Sequence, residues 1–98
     1  AVAEYERAIQ GAFREVADAL AERGSLGEEL DARQMLLAAA RESHRLSGAR
    51  YQAGVDSFLV LLDAQRTLYA AEQELIATRL AEAANRVTVY KVLGGGWQ

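Results

Sequence analysis

The chain has 98 residues, a net charge of −3, one histidine, and neither proline nor cysteine. That length holds one small domain. The missing cysteines exclude disulfides and thiolate metal sites, and the mildly acidic balance argues against a nucleic-acid-binding surface. Apolar residues make up 51 % of the chain, but many are alanine, so the core is expected to be thin and suited to helix-on-helix packing.

The first element predicted is a helix over about 2–52. No proline interrupts it, and its apolar residues recur in sevens. One line runs Val2, Ile9, Val16, Arg23, Leu30, Leu37, His44 and Tyr51. Its neighbour runs Tyr5, Ala12, Ala19, Leu26, Arg33, Ala40 and Ser47. A seven-residue repeat keeps one seam facing a partner helix. The pattern is disturbed at Arg23-Gly24-Ser25-Leu26-Gly27, where two glycines each cost about 1 kcal/mol against alanine. A kink, a bulge or a break is expected there.

A turn at about 52–55 follows. Gly54 suits the left-handed position that ends a helix, and Asp56 or Ser57 is placed to cap the next one. So short a connection makes the two helices antiparallel neighbours.

The second helix is expected over about 56–93. Sevens from Val55 give Leu62, Tyr69, Ile76, Ala83 and Tyr90, and the adjacent line gives Leu61, Leu68, Leu75, Glu82 and Val89. Two adjacent lines form a stripe wide enough for more than one neighbour. Gly94-Gly95-Gly96 is expected to end the helix and leave Trp97 and Gln98 outside it. The fold class is therefore all-α, a long antiparallel, coiled-coil-like hairpin. The second helix is the shorter, so residues 1–17 are expected to overhang. Their apolar line (Tyr5, Ile9, Phe13, Val16) then needs either another subunit as cover or a fold-back at Gly24–Gly27 into a third helix.

Little in the chain could carry chemistry. His44 stands on the seam line with no second histidine or cysteine to complete a metal site. No Ser-His-Asp grouping has workable spacing, and the triple glycine follows a helix instead of preceding one, unlike a phosphate loop. No catalytic, metal or cofactor site is assigned. Asp63 lies at the edge of the apolar stripe beside Leu61 and Leu62. In a symmetric assembly it would form a ring of negative charge, and such rings select cations. Leu46, Ser47 and Tyr51 lie near the exposed end of the hairpin, a plausible docking surface.

The segment Arg45-Leu46-Ser47-Gly48-Ala49-Arg50-Tyr51-Gln52-Ala53-Gly54, followed by Leu61-Leu62-Asp63-Ala64-Gln65-Arg66-Thr67-Leu68, resembles the C-terminal half of the TolC-like outer membrane efflux proteins, in the branch with OprM- and NodT-type members. Further resemblance lies in Phe13–Leu20 and in Val89–Trp97, so it covers essentially the whole chain.

The resemblance implies a homotrimer whose subunits give strands to an outer-membrane barrel and helices to a periplasmic tunnel. This chain would be the last helix descending from the barrel, the turn at the periplasmic tip, and the returning helix. The barrel strands, a first structural repeat, a signal peptide and any lipid anchor would lie upstream. The tip would dock onto a periplasmic adaptor protein, with an inner-membrane pump driving export. By the same resemblance, Leu46, Ser47 and Gly54 match adaptor-docking tip positions, Tyr51 matches a tyrosine that helps hold the tunnel closed, and Asp63 matches an acid that narrows the entrance. Two positions depart from the pattern. Val60 stands where many relatives carry a second acid, and Asp56 stands where some carry a basic gating residue.

The expected function is a non-enzymatic segment of an efflux duct, without cofactor and without nucleic-acid partner. A free-standing coiled-coil interaction module is the alternative, and it would have to cover its own apolar faces. A small helical-bundle enzyme lacks the inward Glu-x-x-His ligand set that such bundles use.

Overall fold

The computed structural model describes residues 2–94, so the expectation for Gly95, Gly96, Trp97 and Gln98 lies outside the described residues. The described chain is two helices, α1 (Val2–Gln52) and α2 (Phe58–Gly94), in that order. Both are rich in Ala, Leu, Glu and Arg, the strongest helix formers, and neither contains proline.

The chain divides into two compact units. One joins Glu29 of α1 through the turn to Arg79 of α2. Within it Arg33 Nη1 donates to Glu74 Oε2 at 2.6 Å, and Thr78 Oγ1 donates to Glu29 Oε1 at 3.3 Å. Partners that descend along α1 while ascending along α2 define an antiparallel helical hairpin. The inward positions on α1 are Leu30, Arg33, Leu37, Ala40, His44 and Ser47, alternating by three and four residues. Those on α2 are Leu61, Ala64, Leu68, Ala71, Leu75 and Thr78, with the same alternation. This is the knobs-into-holes spacing of a coiled coil. Leu37, Ala40, Ala64 and Leu75 form its buried apolar core.

The other unit pairs α1 up to Glu28 with α2 from Leu80 onward. It is antiparallel as well. Asn85 Nδ2 donates to the Ala19 carbonyl at 3.0 Å, and Arg23 approaches Glu82 at 4.0 Å. Ala19 and Leu26 are its buried apolar residues, with Val16, Val89 and Val92 half-buried. Asn85 is only 2 % exposed, and its Oδ1 has no hydrogen-bond partner among the described residues.

Between Val16 and Ser47 both seven-residue lines of α1, Arg23 apart, coincide with the buried seam. On α2 only the Leu61 line does. The second inward line is Ala64, Ala71, Thr78, Asn85 and Val92, while Tyr69, Ile76 and Tyr90 stay exposed. The stripe is thus split, one edge packed on α1 and the other uncovered.

The break expected at Gly24–Gly27 does not occur. α1 runs helical from Val2 to Gln52, with no positive φ outside Gly54 and no third helix among the described residues. Ala19 and Leu26 are buried on either side of Gly24, so packing supplies there what glycine's propensity lacks. Of the line expected to overhang, Tyr5, Ile9 and Phe13 are exposed, whereas Val16 is half-buried.

A methyl group added at Gly24 or at Gly27 would meet nothing within 4 Å. Gly24→Ala and Gly27→Ala are therefore each expected to stabilise the isolated chain by about 0.8–1 kcal/mol. The urea midpoint of the helical circular dichroism signal measures this, and an unchanged or lower midpoint would contradict it.

Candidate functional site at the hairpin turn

The turn is a complete Schellman motif. Gly54 has φ of 76°, the only positive φ among the described residues. Its amide donates to the Tyr51 carbonyl at 3.0 Å, and the Val55 amide donates to the Arg50 carbonyl at 2.9 Å. These are the two bonds that satisfy the last carbonyls of a helix ended by a left-handed residue. The Ala53 amide donates to the Ala49 carbonyl at 3.0 Å, so the Ala49, Arg50 and Tyr51 carbonyls of the last turn are all paired.

Asp56 does not cap α2. Its carboxylate turns back to α1, accepting from Arg50 Nε at 2.6 Å and Arg50 Nη2 at 3.3 Å. Its amide reaches the Arg50 carbonyl at 3.4 Å. Ser57 occupies the position before Phe58, where α2 begins. The hydrogen bond from Arg50, with its positive charge, outweighs partial desolvation and holds the Asp56 carboxyl below the usual carboxylate range. The same pairing raises the Arg50 guanidinium. Arg50 sits in the last turn of α1, where a cation complements the helix dipole.

Tyr51 lies on Phe58, edge to face, with ring centroids 5.7 Å apart and planes at 63°. Such pairs contribute about 0.5–1.5 kcal/mol beyond the area they bury. Tyr51 is still 42 % exposed. Around it Leu46, Val55, Phe58, Leu59 and Val60 are exposed, an apolar end to the hairpin. Ser47 and Gly48 are half-buried against α2, and a Cβ at Gly48 would touch Leu61 Cδ1 at 4.0 Å.

The structure thus gathers Leu46, Ser47, Tyr51 and Gly54 at one end of one unit. Asp63 lies further along α2, exposed and without an ion-pair partner among the described residues. Sequence reasoning missed the Arg50–Asp56 pair because it read Asp56 as a cap. The signal was present, since opposite charges flank the glycine, one before it and one after.

A shallow groove of ≈ 220 Å³ lies between the helices of the same unit, lined by Leu37, Arg41, Glu72, Leu75, Ile76 and Arg79. Among the described residues no group of three or more His, Cys, Asp or Glu side chains is placed to hold a metal ion, and no helix is long and apolar enough to cross a membrane.

Residues 1–95 match the family described as outer membrane efflux protein. The chain belongs to that family. It is 50 % identical over 96 residues to the toluene efflux pump outer membrane protein TtgF of Pseudomonas putida, covering 98 % of this chain and 20 % of the relative. It is 44 % identical over 97 residues to the cation efflux system protein CusC of Escherichia coli O157:H7, covering 99 % of this chain and 21 % of the relative. The fold agrees with these sequences: a crystal structure of CusC superposes with a TM-score of 0.89 at 43 % identity, covering 95 % of this chain and 25 % of that one. The chain therefore spans about a fifth of the length of the curated relatives it matches. As an efflux protein segment, its two helices and turn correspond to a helical part of those longer proteins.

Proposed function

We propose that this chain is the periplasmic hairpin of an outer-membrane efflux duct subunit, with the turn at Gly54 as its tip. The observation that carries the reading is the family match over residues 1–95, supported by relatives that are named as efflux proteins of the outer membrane. The hairpin contributes wall, not catalysis. In this reading an inner-membrane pump supplies the energy, and the subunit works as a homotrimer. Its uncovered apolar faces (Tyr69, Ile76, Leu80 and Tyr90 on α2; Tyr5, Phe13 and Met35 on α1) lie against neighbouring helices of the tunnel. The match to an efflux family weighs against a free-standing coiled-coil module.

At the tip, Leu46, Ser47 and Gly54 meet a periplasmic adaptor protein, and Tyr51 belongs to the contacts that close the tunnel. Asp63, once per subunit, forms a ring of charge that narrows the entrance and attracts cations. Val60 supplies no second carboxylate, so this ring is weaker than one with two acids per subunit.

The reading is tested in the full-length protein with its pump and adaptor. A cysteine introduced at Ser47 is expected to cross-link to the adaptor, and failure at both Leu46 and Ser47 would remove the docking assignment. Asp63→Ala is expected to weaken cation block of the closed duct and change its single-channel conductance. Unchanged single-channel behaviour would take Asp63 out of the entrance.

A further inference from the structure

The residues on either side of the turn are clamped twice. The Arg50 carbonyl accepts the amides of Val55 and Asp56, at 2.9 and 3.4 Å. The Arg50 guanidinium binds the Asp56 carboxylate through two nitrogens, at 2.6 and 3.3 Å. Main chain and side chains thus close the same loop, Tyr51 to Val55. Such a fork-to-carboxylate pair fixes direction as well as distance. Both charges also suit their helix ends, the cation at the C-terminus of α1 and the anion just before the N-terminus of α2.

The clamp has a neighbour that it can orient. Tyr51 directly follows Arg50, and Phe58 lies two residues past Asp56. Their rings meet at 5.7 Å. Fixing residue 50 relative to residue 56 fixes the backbone from which both rings project. Tyr51 is half exposed, so its own packing does not hold it as a buried ring would.

We propose that Arg50 and Asp56 are a positioning pair, an intrachain lock that presets the tip turn and the direction of Tyr51 before any partner arrives. Its functional consequence rests on the duct reading above. Here the acid is spent on Arg50 of its own chain, so neither charge is left for a bridge to a neighbouring subunit. Closure of this tip then depends on Tyr51 and the apolar end, held in place by the lock.

The test uses the full-length protein in its own membrane and four variants: Arg50→Ala, Asp56→Ala, the double Arg50→Ala/Asp56→Ala, and Asp56→Glu. The first readout is amide hydrogen exchange at Gly54, Val55 and Asp56. Each single alanine variant is expected to speed exchange about two- to fivefold, the range an exposed pair supports. The double variant is expected to go no further than the larger single effect, the signature of a coupled pair. Asp56→Glu, which keeps the carboxylate within reach of the guanidinium, is expected to return close to the unmodified rate. Unchanged exchange in the single variants, or additive effects in the double, overturns the lock. The second readout is entry of a large hydrophilic antibiotic into cells that lack the pump. It is expected to rise in both single variants and to fall again in Asp56→Glu. Altered exchange with unchanged entry keeps the lock and overturns the placing of this turn at the closed end of a duct.

Discussion

Gly54→Val in the full-length protein is expected to give the largest loss of function of any single change at the turn. The φ of 76° lies in the left-handed region, where an L-residue costs roughly 1–2 kcal/mol and a β-branched one more. The strain cannot be relieved locally, because the flanking amides are committed to the Tyr51 and Arg50 carbonyls. Valine must therefore either hold the strained angle or release both bonds and unwind the last turn of α1. Space is not the obstacle, since a Cβ at Gly54 meets nothing within 4 Å. That separates two substitutions. Gly54→Asn, which tolerates the left-handed region, is expected to keep most of the function, while Gly54→Val loses it. The measurement is tolerance to an exported drug at matched expression of the outer-membrane protein. Equal tolerance in the two variants would show that the backbone angle is not what matters at the tip.

The second large effect belongs to the seam. Leu75 is 5 % exposed and is one of only three leucines in the buried core, with Leu26 and Leu37. Leu75→Ala is expected to destabilise the chain by about 2–3 kcal/mol, the lower part of the range for buried leucines, because a two-helix seam can partly collapse onto the gap. Tyr69→Ala, at a position 64 % exposed, is expected to change stability by no more than about 0.5 kcal/mol in the chain alone. Urea unfolding followed by circular dichroism compares them. In the assembled protein the order is expected to narrow, because Tyr69 lies on the uncovered edge that neighbours would bury. Equal effects in the chain alone would mean that the seam does not carry its stability.

The two seam lines of α1 were legible because period and polarity agree there. Leu30 and Leu37 alternate with Leu26 and Ala40 at spacings that only a helix brings together. α2 was harder. Its true second line includes Thr78 and Asn85, both buried and both hydrogen-bonded to α1. A hydropathy pattern counts them as surface. Of the apolar line chosen instead, Leu62, Tyr69, Ile76, Ala83 and Tyr90, all but the half-buried Leu62 stay exposed in the single chain, on the edge that the duct reading gives to neighbouring helices. The turn was readable because one glycine requirement sets it. The Arg50–Asp56 pair was not, because a carboxylate beside a helix start has two possible partners, the next helix's amides and the previous helix's cation. The relative strength of the two is decided by geometry. At Gly24, between the buried Ala19 and Leu26, propensity was overruled by packing, as it is wherever an amphipathic face is already committed on both sides.

The buried carboxamide of Asn85 has a consequence for how the helices find each other. Its amide nitrogen donates to the carbonyl of Ala19, reached over a small buried side chain. Slid by one helical turn, the same side chain would face Val16 or Arg23 in place of Ala19, and Nδ2 losing its acceptor beside the already unpartnered Oδ1 would cost about 1–3 kcal/mol. Alanines and valines are interchangeable under such a slide, and an all-apolar seam would accept several alignments with little preference. A single polar residue in the line works as proofreading. It adds little to the strength of the right alignment and penalises the wrong ones, so a hairpin rich in small residues can still assemble in one way.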